Sequence, residues 1–393
     1  MQINYIKFLK SAAIVALCMV VVSCSESSKK EIQTGNGSIE DTATVATVAT
    51  TVVNDGDTIA AEHETNTKPL TLAFVGDIMM GTTYPKHEKN LPSDDGESLF
   101  KDTKEILRRV DIAAGNLEGS LYDGEGVPKK CYNPATCFTF KMPERYSKHL
   151  IDAGFDFVGI ANNHINDFGP DALEGTQRVL NESGLAYAGV SGKKPTAIIE
   201  QNGQKVGFAA FGFNQGMPSV NNFEEIKTIV SELKNECDFV VISFHGGGEG
   251  KNFQHVPHKK EITSSDRGDV EKFAHAAIDA GADAVYGHSP HVPRAVELYK
   301  DRIIFYSLGN FCTPFRFNLA GVNGLAPLAE VTLNPDGSFA EGQIHSFTQT
   351  RGVGPRKDSS NQAAKKMREL TKVDFPSTPL EISDTGKITR KAN

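Results

Sequence analysis

Leu70-Thr71-Leu72-Ala73-Phe74-Val75-Gly76-Asp77 is the stretch on which the fold turns: a strand-like run from Leu70 to Val75 stops at a glycine and a single acid. The same figure recurs downstream. Asp111 to Leu117 reads as a strand with the Asn116/Glu118 pair at its end, and Phe157 to Ala161 runs into Asn162-Asn163-His164. Phe239 to Phe244 leads into His245 and glycines, Ala284 to Tyr286 into Gly287-His288, and Ile303 to Tyr306 into Ser307-Leu308-Gly309-Asn310. Val206 to Phe213 is also apolar and β-like. Between these runs the spacing predicts helices over Asp171 to Asn181, Glu224 to Leu233 and Asp269 to Ala280, the last stopped by Gly281. Continuous apolar strands alternating with helices imply an α/β core whose strands are buried on both faces. Ala329 to Leu333 and Gln343 to Phe347 flank Pro335-Asp336-Gly337, a hairpin signal. We see no internal repeat, so the expectation is one layered domain over residues 69–350, with 351–393 packing on it or trailing.

The 393 residues are 39% apolar and 23% charged, which excludes a collagen, a low-complexity chain and a multi-span membrane protein. The net charge of -8 argues against nucleic-acid binding through a basic surface and disfavours a polyanion as a simple electrostatic partner. Residues 1–23 have the form of a signal peptide: Lys7 and Lys10 precede an apolar run, Ser11 to Val22, that is too short for a comfortable membrane span. The run ends in Val21-Val22-Ser23-Cys24, which resembles a bacterial lipoprotein processing site with Cys24 as the lipidated residue. Residues 24–68 are expected to form a flexible acidic linker. From Ser25 to Lys68 there is no aromatic residue, and eight acids stand against three lysines. The expected location is therefore extracytoplasmic, lipid-anchored to a bacterial membrane. Cys131 and Cys137 are close enough in sequence to form a small-loop disulfide there. Cys237 and Cys312 adjoin apolar runs and read as buried thiols. There is no C-x-x-C.

Position carries the functional signal. Asp77, Asn116 with Glu118, Asn163-His164, His245, and His288 with His291 all fall where strands end, and in open α/β sheets functional groups gather at those ends. Each has an ordinary explanation alone, since an acid or amide after a strand caps a turn and a single histidine is usually structural. Together they form a mixed nitrogen and oxygen set suited to Zn, Mn or Fe. If the strand geometry continues, Asp77 and Met79 share a face, and so do Asn116 and Glu118. No P-loop, H-E-x-x-H or G-x-S-x-G motif competes. No apolar-periodic helix opens after Gly246-Gly247-Gly248-Glu249-Gly250, so these glycines are read as letting the backbone pass close to His245. Arg267 and Arg294 are candidate anion clamps, with Arg294 read as surface charge.

At these residues the chain resembles the CapA family of poly-γ-glutamate capsule synthesis proteins. The resemblance is carried by Phe74-Val75-Gly76-Asp77, Gly115-Asn116-Leu117-Glu118 and Ala161-Asn162-Asn163-His164 with Asp167 and Gly169. Further on it is carried by Ser243-Phe244-His245-Gly246-Gly247 with Glu249, Gly287-His288-Ser289-Pro290-His291 and Tyr306-Ser307-Leu308-Gly309-Asn310-Phe311. It implies the fold of calcineurin-like metallophosphoesterases, a layered β-sandwich flanked by helices. It also implies one or two divalent transition-metal ions. Asp77 and His291 would hold the first, and Asn163, His245 and His288 the second. His164 would stand outside them as proton donor or charge stabiliser. The wider superfamily has Asp-x-His where this chain has Asp77-Ile78-Met79, and an aspartate at Asn116, leaving Glu118 able to bridge. Asn116, Glu249 and Arg267 are candidates for the surrounding shell. The implied role is poly-γ-glutamate capsule biosynthesis or export beside capsule synthase and export membrane proteins. The alternative is a metal-dependent hydrolase or transferase cutting a phosphoester or γ-glutamyl amide in an envelope polymer. A binding module that keeps only the fold is a third possibility.

Overall fold

The computed structural model describes residues 68–85, 89–131 and 137–391. The expected signal segment, Cys24 and all of the linker but its last residue lie outside them. Two sheets make the frame. The larger runs in the order Leu380–Ile382, Lys387–Arg390, Phe339–Thr350, Leu325–Leu333, Leu70–Ile78, Ile112–Leu117, Phe157–Gly159, Ala186–Ala188. Asn310–Cys312 also pairs with Leu70–Ile78, and Val353–Lys357 with Phe339–Thr350. The smaller runs Val296–Tyr299, Arg302–Phe305, Ala284–His288, Phe239–His245, Gln204–Phe211, Thr196–Gln201.

Side-chain alternation explains how the sheets pack. Along Phe239–His245, Phe239 and Val241 join the core between the sheets, while Val240, Ile242 and Phe244 join a second core under helices. Those helices are Phe223–Glu236 and Val270–Asp279. Asn222 and Asp269 cap them by accepting the N–H groups of Glu225 and Lys272. Gly281 follows the second helix with φ 119°, a conformation that favours glycine, and so ends it as expected. Between the sheets Phe74 stacks on Tyr286 with ring centroids 4.6 Å apart, and Phe157 on Phe208 at 4.4 Å. The architecture is the expected α/β one, a layered β-sandwich flanked by helices. Residues beyond 350 are woven into it: Thr350 pairs with Val353, and the strands after helix Gln362–Asp374 extend the larger sheet. Cys131 and Cys137 are disulfide-bonded, and Cys237 and Cys312 are buried free thiols.

The first strand carries the irregularity that aims the site. Phe74 faces Ala114, yet Asp77 faces Asn116, so the first strand holds one extra residue between these pairs. That residue reverses the alternation and puts Asp77 on the same inner face as Phe74. Gly76 lies in this irregular stretch, where a Cβ would stand 1.9 Å from the carbonyl oxygen of Gly309. The strand also continues past the expected stop, because Asp77 pairs with Asn310 on its other side. Met79, expected on the face of Asp77, is fully buried in the hydrophobic core.

Candidate metal centre

The parallel strands of both sheets end on one side, and their last residues meet there. Asp77 and Asn116 are register partners in the larger sheet, and His245 and His288 in the smaller. Ser243, His245 and His288 fall on inner-facing positions by alternation with Val241 and Tyr286. Asp77, Asn116, Glu118 and His245 are fully buried, and His288 nearly so.

Asp77 is the hub. Its Oδ1 accepts from Asn116 Nδ2 at 2.8 Å and lies 3.8 Å from His288 Nδ1, while its Oδ2 is 2.8 Å from His291 Nδ1. Asn116 also donates to Glu118 Oε2 at 3.0 Å, so one amide positions both carboxylates. The two imidazoles of the smaller sheet meet through Nδ1 atoms 3.0 Å apart, and His288 Nε2 is 2.9 Å from Ser243 Oγ. The potential ligand atoms fall into two groups: Asp77, His245 and His288 form one, and Asp77, Glu118 and His291 the other, with all atoms of a group within 4.8 Å of each other. The shared residue is therefore Asp77, and Glu118 belongs to the His291 side. Asn163 lies in the turn after Phe157–Gly159 with a buried Oδ1.

These residues fit a cation on a test independent of family. Glu118 Oε1, Asn163 Oδ1 and His245 Nε2 are buried with no hydrogen-bond partner. Unsatisfied buried polar atoms are expensive, and a cation held by the two groups would satisfy the orphaned atoms of Glu118 and His245. Backbone strain collects here too: Ser289 has φ 103° and His291 φ 58°.

The protonation pattern follows from burial and neighbours. Burial pushes Asp77 upward, but the bond and charge of His291, with the charge of His288, outweigh it and hold the carboxyl well below its usual range. Burial and the adjacent Asp77 charge drive Glu118 well above its usual range. Burial lowers His288 to about 4, and burial with the neighbouring His288 holds His245 well below its ordinary value. Burial would lower His291, yet its bond to Asp77 raises it overall.

His164 stands beside this cluster. Its Nδ1 is 2.7 Å from Asp167 Oδ2 and its Nε2 is 3.9 Å from Glu118 Oε1. Asp167 is fully buried, also accepts the Phe140 N–H at 2.8 Å, and pairs with Lys129 at 2.6 Å. Burial lowers the His164 pKa despite Asp167, so the ring is neutral at neutral pH. With Nδ1–H donated to Asp167, the lone pair is on Nε2. Asn162 locks this corner: its amide donates to Asn116 Oδ1 and the Leu117 carbonyl, and its Oδ1 accepts the His164 N–H.

The positioning roles of Asn162, Asp167 and Ser243 were not assigned from sequence. Ser243 was findable, since it precedes His245 by two residues in one strand and so shares its face. Arg294 corrects an expectation. It is fully buried, not surface charge, because both terminal nitrogens bond Glu261 at 2.8 Å and Nε bonds the Phe253 carbonyl. Glu261 in turn accepts the Gly248 N–H at 2.9 Å, pinning the glycine loop after His245. Arg267 is held by protein groups as well: it pairs with Glu249 at 2.6 Å and lies over the Phe213 ring.

The family described as bacterial capsule synthesis protein PGA_cap matches residues 71–314, a span that contains every residue of the cluster. The chain belongs to this family. It is 31% identical over 288 residues to the capsule biosynthesis protein CapA of Bacillus anthracis, covering 68% of this chain and 65% of that protein. It is 31% identical over 260 residues to the PGA biosynthesis protein CapA of Bacillus subtilis (strain 168), covering 62% of this chain and 63% of the relative. The chain thus spans a little under two thirds of the length of these relatives. Among solved structures, a 5'-nucleotidase precursor from Thermus thermophilus aligns at 12% identity with a TM-score of 0.42, over 72% of this chain and 54% of that one.

Proposed function

We propose that the protein acts in biosynthesis or export of a poly-γ-glutamate capsule polymer, through a cleft loaded with one or two divalent ions (Mn, Zn or Fe). The observation that carries this reading is the pair of largely buried ligand groups sharing Asp77, in a chain of the capsule synthesis family. Asp77, His245 and His288 would hold one ion, with Asn163 adding its free Oδ1, and Asp77, Glu118 and His291 the other. The protein is proposed to be an extracytoplasmic lipoprotein, anchored through Cys24 beside capsule synthase and export membrane proteins. No helix of the described residues is long and apolar enough to cross a membrane. The test is cell-bound polymer in the host. Loss of the gene should remove it, the wild-type gene should restore it, and His288→Ala or Glu118→Ala should restore less than about a tenth. Full restoration by both variants would separate the cleft from polymer assembly.

The His164–Asp167 pair favours a second reading, a metal-dependent hydrolase or transferase acting on an envelope polymer. Bound ions would supply an activated water and polarise the attacked bond. The chain itself supplies His164, held by Asp167 so that Nε2 can take or return a proton beside Glu118. Asp167→Asn leaves every proposed ligand in place but no longer fixes the ring's tautomer. It should lower turnover of poly-γ-glutamate, or of an aryl phosphate, by roughly 10²–10⁴-fold at unchanged metal content. Equal turnover in variant and wild type would remove His164 from the chemistry.

A further inference from the structure

A cleft of about 1040 Å³ opens over His164 and His291. Its wall is a continuous ladder of rings. His291 meets Phe317 at 5.1 Å between centroids, Phe317 stacks on Phe140 at 5.0 Å, and Phe140 contacts His164 at 4.3 Å. Phe138 continues the ladder from Phe140 at 6.4 Å, and the Arg316 guanidinium lies 5.5 Å from the Phe138 centroid. The ladder therefore runs from the candidate metal centre to a cation.

That cation is unlike the other arginines around the centre. Arg267 and Arg294 are tied to Glu249 and Glu261. Arg316 has a buried Nε with no hydrogen-bond partner and forms no ion pair among the described residues. Its backbone is in the left-handed region, φ 67°, which is uncommon for a long side chain. Lys251, on the same cleft, likewise has no carboxylate partner among the described residues. In a chain of net charge -8 this places positive charge without a carboxylate partner on the cleft beside the candidate centre.

We propose that Arg316 is the carboxylate-binding subsite of the cleft, and that the ligand it selects is a chain whose carboxylates are spaced by short apolar segments. The guanidinium offers a planar fork for a carboxylate. Phe138, which is 41% exposed, offers apolar surface that the methylenes of such a ligand would cover. The volume is at the upper end for small-ligand pockets and admits several residues of a polymer. A γ-linked glutamate chain has both features in every residue, a carboxylate and two methylenes, whereas a polyphosphate has no apolar segment. The inference rests on the polymer reading above and adds to it the residue that reads the charge.

The experiment is calorimetric titration of the metal-loaded full chain with a γ-linked glutamate oligomer, the same oligomer with its α-carboxylates amidated, and inorganic phosphate. Wild type should bind the carboxylate oligomer, and Arg316→Gln should weaken that binding roughly tenfold or more. Arg316→Lys should recover part of the loss, and neither variant should change metal content or Tm. The amidated oligomer should bind wild type and Arg316→Gln equally. Equal binding of the carboxylate oligomer by wild type and Arg316→Gln would overturn the subsite and leave the polymer reading intact. No binding of that oligomer by wild type would overturn both. Binding of phosphate alone, lost in Arg316→Gln, would overturn the carboxylate assignment.

Discussion

Arg294→Ala should destabilise the folded protein by about 3–5 kcal/mol, measured by denaturant unfolding of the metal-free chain. The side chain is fully buried and makes two bonds of 2.8 Å to Glu261 and a third to the Phe253 carbonyl. Removing it strands a buried carboxylate, which costs far more than a solvated pair would. The loss should reach the site as well, because Glu261 also holds Gly248 in the loop that follows His245. Replacing both partners together, Arg294→Met with Glu261→Met, should cost less than Arg294→Ala alone, since no charge is then left unpaired. A cost under about 1 kcal/mol for Arg294→Ala would contradict the buried position.

Asp77→Ala should remove binding of both ions. Asp77 is the one residue common to the two ligand groups, whereas His288 and His291 each serve one. Loss of a residue that merely supports a ligand typically costs 10–100-fold in metal affinity, so loss of a shared ligand should cost at least about 100-fold. A thermal-shift titration with Mn or Zn reads this directly. Ion at a hundredfold excess over Kd should stabilise the wild type by about 2.7 kcal/mol, and a chelator should reverse the shift. Asp77→Ala should show almost no shift, and His288→Ala an intermediate one. An unchanged shift in Asp77→Ala would place the ions elsewhere.

Much of this arrangement is legible in the sequence because it rests on period and position. The apolar runs before Asp77, Glu118, His245 and His288 are long enough to be strands, and both of their faces prove buried. Each polar residue at the end of such a run has an ordinary structural use alone, but their recurrence at successive strand ends lets the cluster be gathered from one chain. What stayed hidden depends on register and on distant contacts. The extra residue between Phe74 and Asp77 changes which face Asp77 presents relative to Phe74, and the strand ends at Ile78, so alternation does not extend to Met79. Arg294 looked like surface charge because Glu261 is far from it in sequence and nothing local announces the pair. Asp167 is three residues from His164, but its role depends on a turn that also brings in Phe140 and Lys129. The ring ladder to Arg316 joins segments far apart in the chain and has no sequence period at all.

The most direct measurement is anomalous diffraction from crystals of the full chain grown with Mn. Anomalous peaks are expected beside Asp77, one among Asp77, His245 and His288 and one among Asp77, Glu118 and His291, each within bonding distance of its group. Crystals with no anomalous peak at Asp77, at Mn concentrations that saturate the thermal shift, would contradict a metal centre at these strand ends.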